Sequence, residues 1–167
     1  MYILELAKPE EAEICNDILD KGRKFQREQG FVQWPDDYPS IDTIREDIEK
    51  KRGFVLREGE KTAGYVCVDF EGEPAYEEIE GSWRTDGTYA AVHRMAFEEE
   101  FRGKGLTETV FHEIEKLCRE NGILTVRMDT GLENKRMQHV LEKNGFIKCG
   151  IVRYEGSKRL AYDKLLG

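Results

Sequence analysis

The sequence has few residues of the kinds that form metal sites or disulfide bonds. Its 167 residues include only three histidines and four cysteines, and no two cysteines stand in a Cys-x-x-Cys pair. Because these ligands are scattered, we expect no metal ion and predict reduced, mostly buried thiols. The four thiols belong to Cys15, Cys67, Cys118 and Cys149.

Targeting segments and a basic surface charge are also missing. The first residues, MYILELAKPEEAE, contain no basic region before an apolar run, and no later segment is apolar enough to span a membrane. We therefore expect a cytoplasmic protein with no membrane partner. The net charge of −8 argues against a nucleic-acid partner, although it is compatible with a local basic site for a small anion.

Linkers, repeats and low-complexity runs are absent, and we therefore expect one domain over residues 1–167. The hydrophobic fraction of 39% and the aromatic fraction of 10% are typical of a folded protein with a core. Helical and strand patterns are interleaved along the chain, which indicates a mixed α/β fold.

The first third of the chain predicts one strand and two helices. The strand covers Tyr2 to Leu6, and the first helix begins at Pro9 and is closed by Gly30. Its expected buried stripe consists of Ile14, Ile18 and Phe25. A second helix follows Ser40, whose hydroxyl suits the N-cap position.

The rest of the chain predicts a mixed sheet. Two hairpins, within Phe54 to Phe70 and Phe146 to Leu165, flank strands at Thr88 to Phe97 and Ile123 to Asp129. The stretch Glu71 to Gly87 is irregular, with one helical turn. One predicted helix has a buried stripe of Leu106, Val110, Ile114 and Leu117, and Met137, Val140 and Leu141 mark another helix. The strand–helix–strand centre implies one parallel pair inside an otherwise antiparallel sheet.

A glycine turn lies between the predicted strand Thr88 to Phe97 and the helix after it. Residues His93 to Thr107 read HRMAFEEEFRGKGLT, with RGKG, Arg102 to Gly105, at the turn. Glycines let backbone N–H groups approach an anion closely, and a helix N-terminus adds partial positive charge. The turn is neither a Walker A loop nor a Gly-x-Gly-x-x-Gly fingerprint, because both spacings are absent.

This turn resembles motif A of the GNAT N-acetyltransferase family, Gln/Arg-x-x-Gly-x-Gly/Ala, which holds the pyrophosphate of acetyl-CoA. Glu100 replaces the usual Gln or Arg, and Thr107 replaces a small residue, but neither change removes the backbone donors. The second cofactor segment of the family is matched by Asp129-Thr130, Asn134, Met137, Leu141 and Gly145-Phe146. One bacterial subgroup is matched by Gln33-Trp34, Tyr38-Pro39, Glu73 to Tyr76, Gly81 and Trp83.

The resemblance implies an α/β (α+β) GNAT fold, with a mixed, mostly antiparallel sheet, a central splayed parallel strand pair and helices on both faces. It also implies acetyl-CoA as cosubstrate and acetyl transfer to the primary amine of a small acceptor. Strand backbone would bind the pantetheine arm, the turn would bind the pyrophosphate, and a helix residue would hydrogen-bond the pantetheine. The cofactor residues implied are Met95, Ala96, Phe97, Arg102, Gly103, Lys104, Gly105, Leu106, Thr107, Asn134 and Met137.

Acetyl transfer needs a neutral amine, a polarised thioester carbonyl and a proton for the leaving thiolate. His93 is the best candidate base, because strand alternation places it with Met95 and Phe97 and histidine titrates near neutrality. The alternative is a half-buried histidine satisfied by a backbone carbonyl. Other candidate bases are Glu73, Glu78 and Glu98, whereas His112 and His139 fall on helices and are expected to face solvent.

The leaving-group acid is the clearest departure from the family. Many members use a tyrosine, and this chain has Leu141 at the matching position. Tyr154 or water would protonate the thiolate, or the thiolate would leave unaided. Packing near a hairpin turn is the alternative role for Tyr154.

Loop aromatics and acidic residues mark the acceptor side. The candidate acceptor residues, which form either a pocket or lid and core packing, are Trp34, Tyr38, Glu73, Tyr76 and Trp83. The acidic loop residues are Asp36, Asp37, Glu73, Glu77 and Glu78. They favour a cationic acceptor such as a polyamine, an amino sugar or a basic amino acid.

Two other functions stay open from the sequence. A non-catalytic CoA-binding sensor would keep the fold without the acid, and a protein or peptide N-acetyltransferase would need an open peptide groove. The resemblance also allows a homodimer, because many members of the family are dimers.

Overall fold

The chain folds into eight strands and four α-helices, which confirms the mixed α/β class. The strands are β1 (Tyr2–Leu6), β2 (Gly53–Glu58), β3 (Lys61–Asp69), β4 (Glu80–Gly81), β5 (Ala90–Phe97), β6 (Thr125–Gly131), β7 (Ile147–Tyr154) and β8 (Ser157–Leu165). The helices are α1 (Ala12–Glu28), α2 (Ile41–Glu49), α3 (Leu106–Glu120) and α4 (Lys135–Lys143). Short 3₁₀ turns cover Pro9–Glu11, Pro74–Glu78 and Glu99–Phe101.

This computed structural model describes residues 1–167, which divide into two units. The first unit contains Met1–Val68 and His93–Ile114, and the second contains Asp69–Val92 and Glu115–Gly167. The expectation of a single domain stays a prediction. None of the helices combines the length and the apolar character that crossing a membrane requires.

The first unit packs helices α1 and α2 on a four-stranded array in the order β1-β2-β3-β5, to which β5 contributes His93–Phe97. Its core contains Cys15, Ile18, Leu19, Trp34, Ile44, Val55, Tyr65 and Ala96. Helix α1 packs tightly against β5 at Gly22, where an added Cβ would lie 2.9 Å from the Ala96 Cβ. A side chain at Gly22 would therefore push the helix away from β5.

The predicted N-cap of α2 is confirmed, whereas the predicted buried stripe of α1 is partly wrong. The Ser40 hydroxyl accepts a hydrogen bond from the Thr43 N–H at 3.4 Å, which confirms the predicted N-cap. Ile14 is 50% exposed, so its place in the buried stripe of α1 was wrong. The buried stripe of α1 runs instead through Cys15, Ile18 and Leu19. Cysteine packs as a small, polarizable apolar residue, so a pattern built on large aliphatic residues alone did not define this face.

The second unit contains the one parallel strand pair. Its strands follow the order β5-β6-β8-β7-β4, to which β5 contributes Ala90–Val92. Ala90 pairs with Val126 in parallel, and the recorded pairs of β6 with β8, β7 with β8 and β4 with β7 are antiparallel. This arrangement confirms the predicted mixed, mostly antiparallel sheet.

Strand β4 was missed by the sequence reading because it has only two residues. Gly81 pairs with Gly150 of β7, and an added Cβ at Gly81 would lie 2.3 Å from the Cys149 carbonyl oxygen. The backbones therefore approach each other through a contact that only glycine permits. Gly81 was the one local signal of this strand.

All four cysteines are free, and three are buried, as predicted. Burial raises the pKa of the Cys15 thiol to about 12 and that of the Cys118 thiol to about 11. Both thiols therefore stay protonated at neutral pH and act as small apolar groups in the core.

Candidate functional site

The predicted glycine turn connects the end of β5 to the start of α3. After Phe97 the chain makes the 3₁₀ turn Glu99–Phe101, and α3 begins at Leu106. Gly103 and Gly105 adopt left-handed φ angles of 77° and 70°. A residue with a Cβ rarely adopts this conformation, so the geometry explains both glycines.

Backbone N–H groups at this turn are available to an anion. The Arg102 N–H donates to the Glu99 carbonyl at 3.2 Å, so the available donors begin one residue later than the sequence suggested. No loop or cap hydrogen bond to another backbone group is donated by the N–H groups of residues 103–107. The first N–H groups of a helix lack intrahelical acceptors, and open space surrounds both glycines.

The two cationic side chains of the turn are held by other contacts. Arg102 Nη2 donates to the Lys21 carbonyl at 3.0 Å, and its guanidinium lies 4.4 Å from the Phe25 ring centroid on α1. Lys104 Nζ lies 5.3 Å from the Phe101 ring centroid. The Arg102 guanidinium therefore anchors the turn to α1.

Strand β5 carries the other predicted cofactor residues of the first unit. Ala96 is buried in the core, so any contact it makes with a ligand runs through its backbone. Met95 and Phe97 are half-buried, and His93 is 8% exposed. Arg94 has a left-handed φ of 53°. The regular alternation from which we predicted the direction of the His93 side chain is therefore interrupted between His93 and Met95.

The second cofactor segment begins helix α4. The Asn134 side-chain oxygen accepts a hydrogen bond from the Met137 N–H at 3.1 Å and so caps the helix. Met137 is half-buried, and Leu141 is completely buried in the core. Leu141 therefore packs in the core.

Tyr76 lies in a buried polar chain of the second unit. It is completely buried, and its hydroxyl donates to Asp129 Oδ2 at 2.6 Å. Arg159 Nη1 donates to Asp129 Oδ1 at 3.2 Å, and the Tyr154 ring centroid lies 5.6 Å from the Arg159 guanidinium. Burial, followed by the Asp129 charge, raises the pKa of the Tyr76 hydroxyl well above its usual value. The phenol therefore stays protonated as a donor to Asp129.

Replacing Tyr76 with phenylalanine is expected to lower the free energy of unfolding by about 1–2 kcal/mol, because it removes the hydrogen bond that the buried Tyr76 hydroxyl donates to the charged Asp129. Tyr162→Phe is the matched control, because the Tyr162 hydroxyl is buried and has no hydrogen-bond partner. We expect this control to change stability by less than about 0.5 kcal/mol or to stabilise the protein. Urea unfolding of both variants measures the difference, and equal losses would contradict this role for Tyr76.

Some of the candidate acceptor residues are buried in a core, and the others are partly exposed. Trp34 is 5% exposed in the core of the first unit, and Tyr76 is completely buried in the second. Their burial agrees with the packing alternative, and their acceptor roles stay predictions. The Tyr38 hydroxyl accepts from Arg94 Nη1 at 2.7 Å. Glu73 caps a 3₁₀ turn through the Ala75 N–H at 3.1 Å. Trp83 is half-buried and donates from Nε1 to the Tyr76 carbonyl at 2.7 Å.

Sequence reasoning missed the buried charges of both units. Asp47 is completely buried on α2 between Ile44 and Ile48, and Arg159 is 3% exposed on β8. A charge inside an apolar helical stripe was the available signal for Asp47, because such a residue is almost always paired. No group of three or more His, Cys, Asp or Glu side chains is placed to hold a metal ion.

A glycine turn that leads from a strand into a helix with available N–H donors suits a phosphate or pyrophosphate group. The family model described as "Acetyltransferase (GNAT) family" matches residues 19–146. The chain therefore belongs to the GNAT acetyltransferase family, whose cosubstrate is acetyl-CoA.

Solved structures agree with this assignment. The chain is 33% identical to an acetyltransferase of the GNAT family from Streptococcus agalactiae 2603, with a TM-score of 0.88 over 98% of this chain and 95% of that chain. No curated protein matches the sequence.

Two more distant structures share the fold. One is a PaiA N-acetyltransferase from Thermoplasma acidophilum in complex with coenzyme A, with 15% identity, a TM-score of 0.74 and 99% coverage of both chains. The other is AAC(6')-Ib in complex with parmomycin and acetyl-CoA. It has 17% identity, a TM-score of 0.73, and coverage of 98% of this chain and 93% of that chain.

Proposed function

We propose that this chain is an acetyl-CoA-dependent N-acetyltransferase that acts on the primary amine of a small, cationic acceptor. The observation that carries the proposal is the left-handed glycine turn at Gly103 and Gly105, which opens helix α3 inside the region matched by the family. Its N–H groups suit the pyrophosphate of acetyl-CoA, because backbone donors at a helix start bind a polyanion without side-chain ordering.

Each predicted site residue has its own proposed role. The backbone of Met95 to Phe97 pairs with the pantetheine arm, and the Phe97 N–H polarises the thioester carbonyl. Asn134 hydrogen-bonds the pantetheine, and Met137 packs beside it. His93 accepts the proton that the amine loses, and Tyr154 donates one to the thiolate that leaves when the carbon–sulfur bond breaks.

We expect cationic amines to be acetylated in preference to neutral or anionic amines of similar size. Exposed carboxylates in the predicted acceptor loops support this, and they belong to Asp36, Asp37, Glu77 and Glu78. A panel of a polyamine, an amino sugar, a basic amino acid and uncharged amines, scored by release of free CoA thiol, measures the preference. A panel in which only neutral or anionic amines react would overturn the cationic acceptor.

A CoA-binding sensor is the second candidate, and the buried Leu141 favours it. The residue stands where many relatives carry the acid, and it is completely buried. A sensor would bind acetyl-CoA but release no thiol with any amine. Thiol release above a heat-inactivated control therefore separates the two functions.

The four free thiols, three of them buried, also support a place for this reaction in the cytoplasm. A reducing compartment keeps such thiols unpaired. Localisation of a tagged chain by microscopy or fractionation tests this part of the proposal.

A further inference from the structure

A buried ionic network connects helix α2 to strand β5 inside the first unit. Asp47 of α2 accepts two hydrogen bonds from the guanidinium of Arg94 on β5. Arg94 Nε lies 2.9 Å from Asp47 Oδ2, and Arg94 Nη2 lies 2.7 Å from Asp47 Oδ1. The Asp47 side chain is 0% exposed and the Arg94 side chain 6% exposed. The contact is therefore a bidentate pair that is shielded from water.

Both charged groups have further partners. Asp47 also accepts from Arg52 Nε at 2.8 Å and from the Tyr65 hydroxyl at 2.7 Å. Burial raises the pKa of the Tyr65 hydroxyl, so this group remains a donor at neutral pH. Arg94 donates to the Tyr38 hydroxyl at 2.7 Å. The donors to Asp47 are therefore Arg52, which directly precedes β2, Tyr65 on β3 and Arg94 on β5. Each of the two Asp47 carboxylate oxygens accepts two hydrogen bonds.

The backbone of Arg94 is the unusual part of this network. Its φ of 53° lies in the left-handed region, which a residue with a Cβ adopts only when its surroundings hold it there. The planar guanidinium fork fixes the side chain in one orientation against the carboxylate. Met95, Ala96 and Phe97 follow directly, so the direction in which β5 continues depends on the conformation held at Arg94.

We propose that Asp47 is a positioning residue for acetyl-CoA, acting through Arg94 to set the backbone of Met95 to Phe97. This inference rests on the proposed function, which assigns that backbone to the pantetheine arm. Stability alone is a poor explanation of the network, because apolar side chains can often replace a buried ion pair without lowering the stability of the protein. The bidentate pair holds Arg94 in its left-handed conformation on β5, the strand proposed to bind the cofactor. The Asp47 charge therefore has a geometric role.

The test compares four single variants of the full chain. Asp47→Asn removes the carboxylate charge, and Arg94→Lys removes the planar fork. Arg52→Gln and Tyr65→Phe are the controls, because both leave the Asp47–Arg94 pair in place. Arg52→Gln removes the ion pair of Arg52 with Asp47, and Tyr65→Phe removes one neutral hydrogen bond to Asp47. Two quantities are measured for each variant: the Kd for acetyl-CoA by calorimetry, and hydrogen exchange of the amides of Met95 to Phe97.

We expect Asp47→Asn and Arg94→Lys to raise the Kd about tenfold and to speed amide exchange at Met95 to Phe97. The two controls should lower the melting temperature but keep the Kd within about twofold. If Asp47→Asn does not fold, Arg94→Lys decides the question.

Wild-type Kd and wild-type exchange in Arg94→Lys would overturn the positioning role. A rise in Kd of the same size in the controls would also overturn it, because the network would then act through stability alone. Failure of the wild-type chain to bind acetyl-CoA would overturn the proposed function instead. The exchange rates, which need no ligand, would still support or refute the action of Asp47 on the strand.

Discussion

Replacing His93 with alanine is expected to lower turnover about 100-fold while leaving the Kd for acetyl-CoA close to that of the wild type. Removal of a general base acts on the chemical step, whereas the proposed cofactor contacts of β5 are made by backbone groups that the substitution keeps. Steady-state kinetics with the amine identified by the acceptor panel give turnover, and calorimetry gives the Kd for acetyl-CoA.

His112→Ala is the matched control for His93, because His112 lies on α3 with its side chain exposed. Its turnover should equal that of the wild type. Turnover in His93→Ala equal to that of the wild type at every pH from about 6 to about 9 would refute His93 as the base.

The double substitution Gly103→Val with Gly105→Val is expected to raise the Kd for acetyl-CoA about 100-fold. Both glycines have left-handed φ angles, which a β-branched residue adopts only at a cost of about 1–2 kcal/mol per residue or more. Nothing lies within 4 Å of an added Cβ at either position. The substitutions therefore act by changing the backbone of the turn, which would redirect the N–H donors. Calorimetry with acetyl-CoA measures this loss.

Gly30→Val with Gly59→Val is the matched double control. Both residues belong to the first unit, have left-handed φ angles of 91° and 60°, and have open space around an added Cβ. We expect a similar fall in melting temperature and an unchanged Kd. Equal losses of acetyl-CoA binding in the two double variants would show that backbone strain, not the position of the turn, causes the effect.

Local patterns in the sequence were enough to predict several elements of the fold, including the helix start that follows the glycine turn. The strand at Tyr2–Leu6, the Ser40 cap and the start of α3 after the glycine turn each depend on residues a few positions apart. The parallel pair of β5 and β6 followed from the strand–helix–strand order, because a parallel connection needs a crossover. These features are encoded locally.

Features that depend on distant partners could not be predicted. Asp47 and Arg94 are 47 residues apart, and nothing in either neighbourhood indicates that they pair. Tyr76 and Asp129 are 53 residues apart, so an aromatic loop residue that suggested an acceptor pocket proved to be a buried hydrogen-bond donor. The left-handed φ of Arg94 interrupts an alternation that sequence reasoning assumed to be regular.

Mass spectrometry tests the central claim most directly. The purified chain is incubated with acetyl-CoA and a small-metabolite extract, beside a heat-inactivated control, and the products are searched for an acetylated amine. We expect a new acetylated cationic amine together with an equal amount of free CoA. Binding of acetyl-CoA without any acetylated product or free CoA would contradict it and favour the sensor.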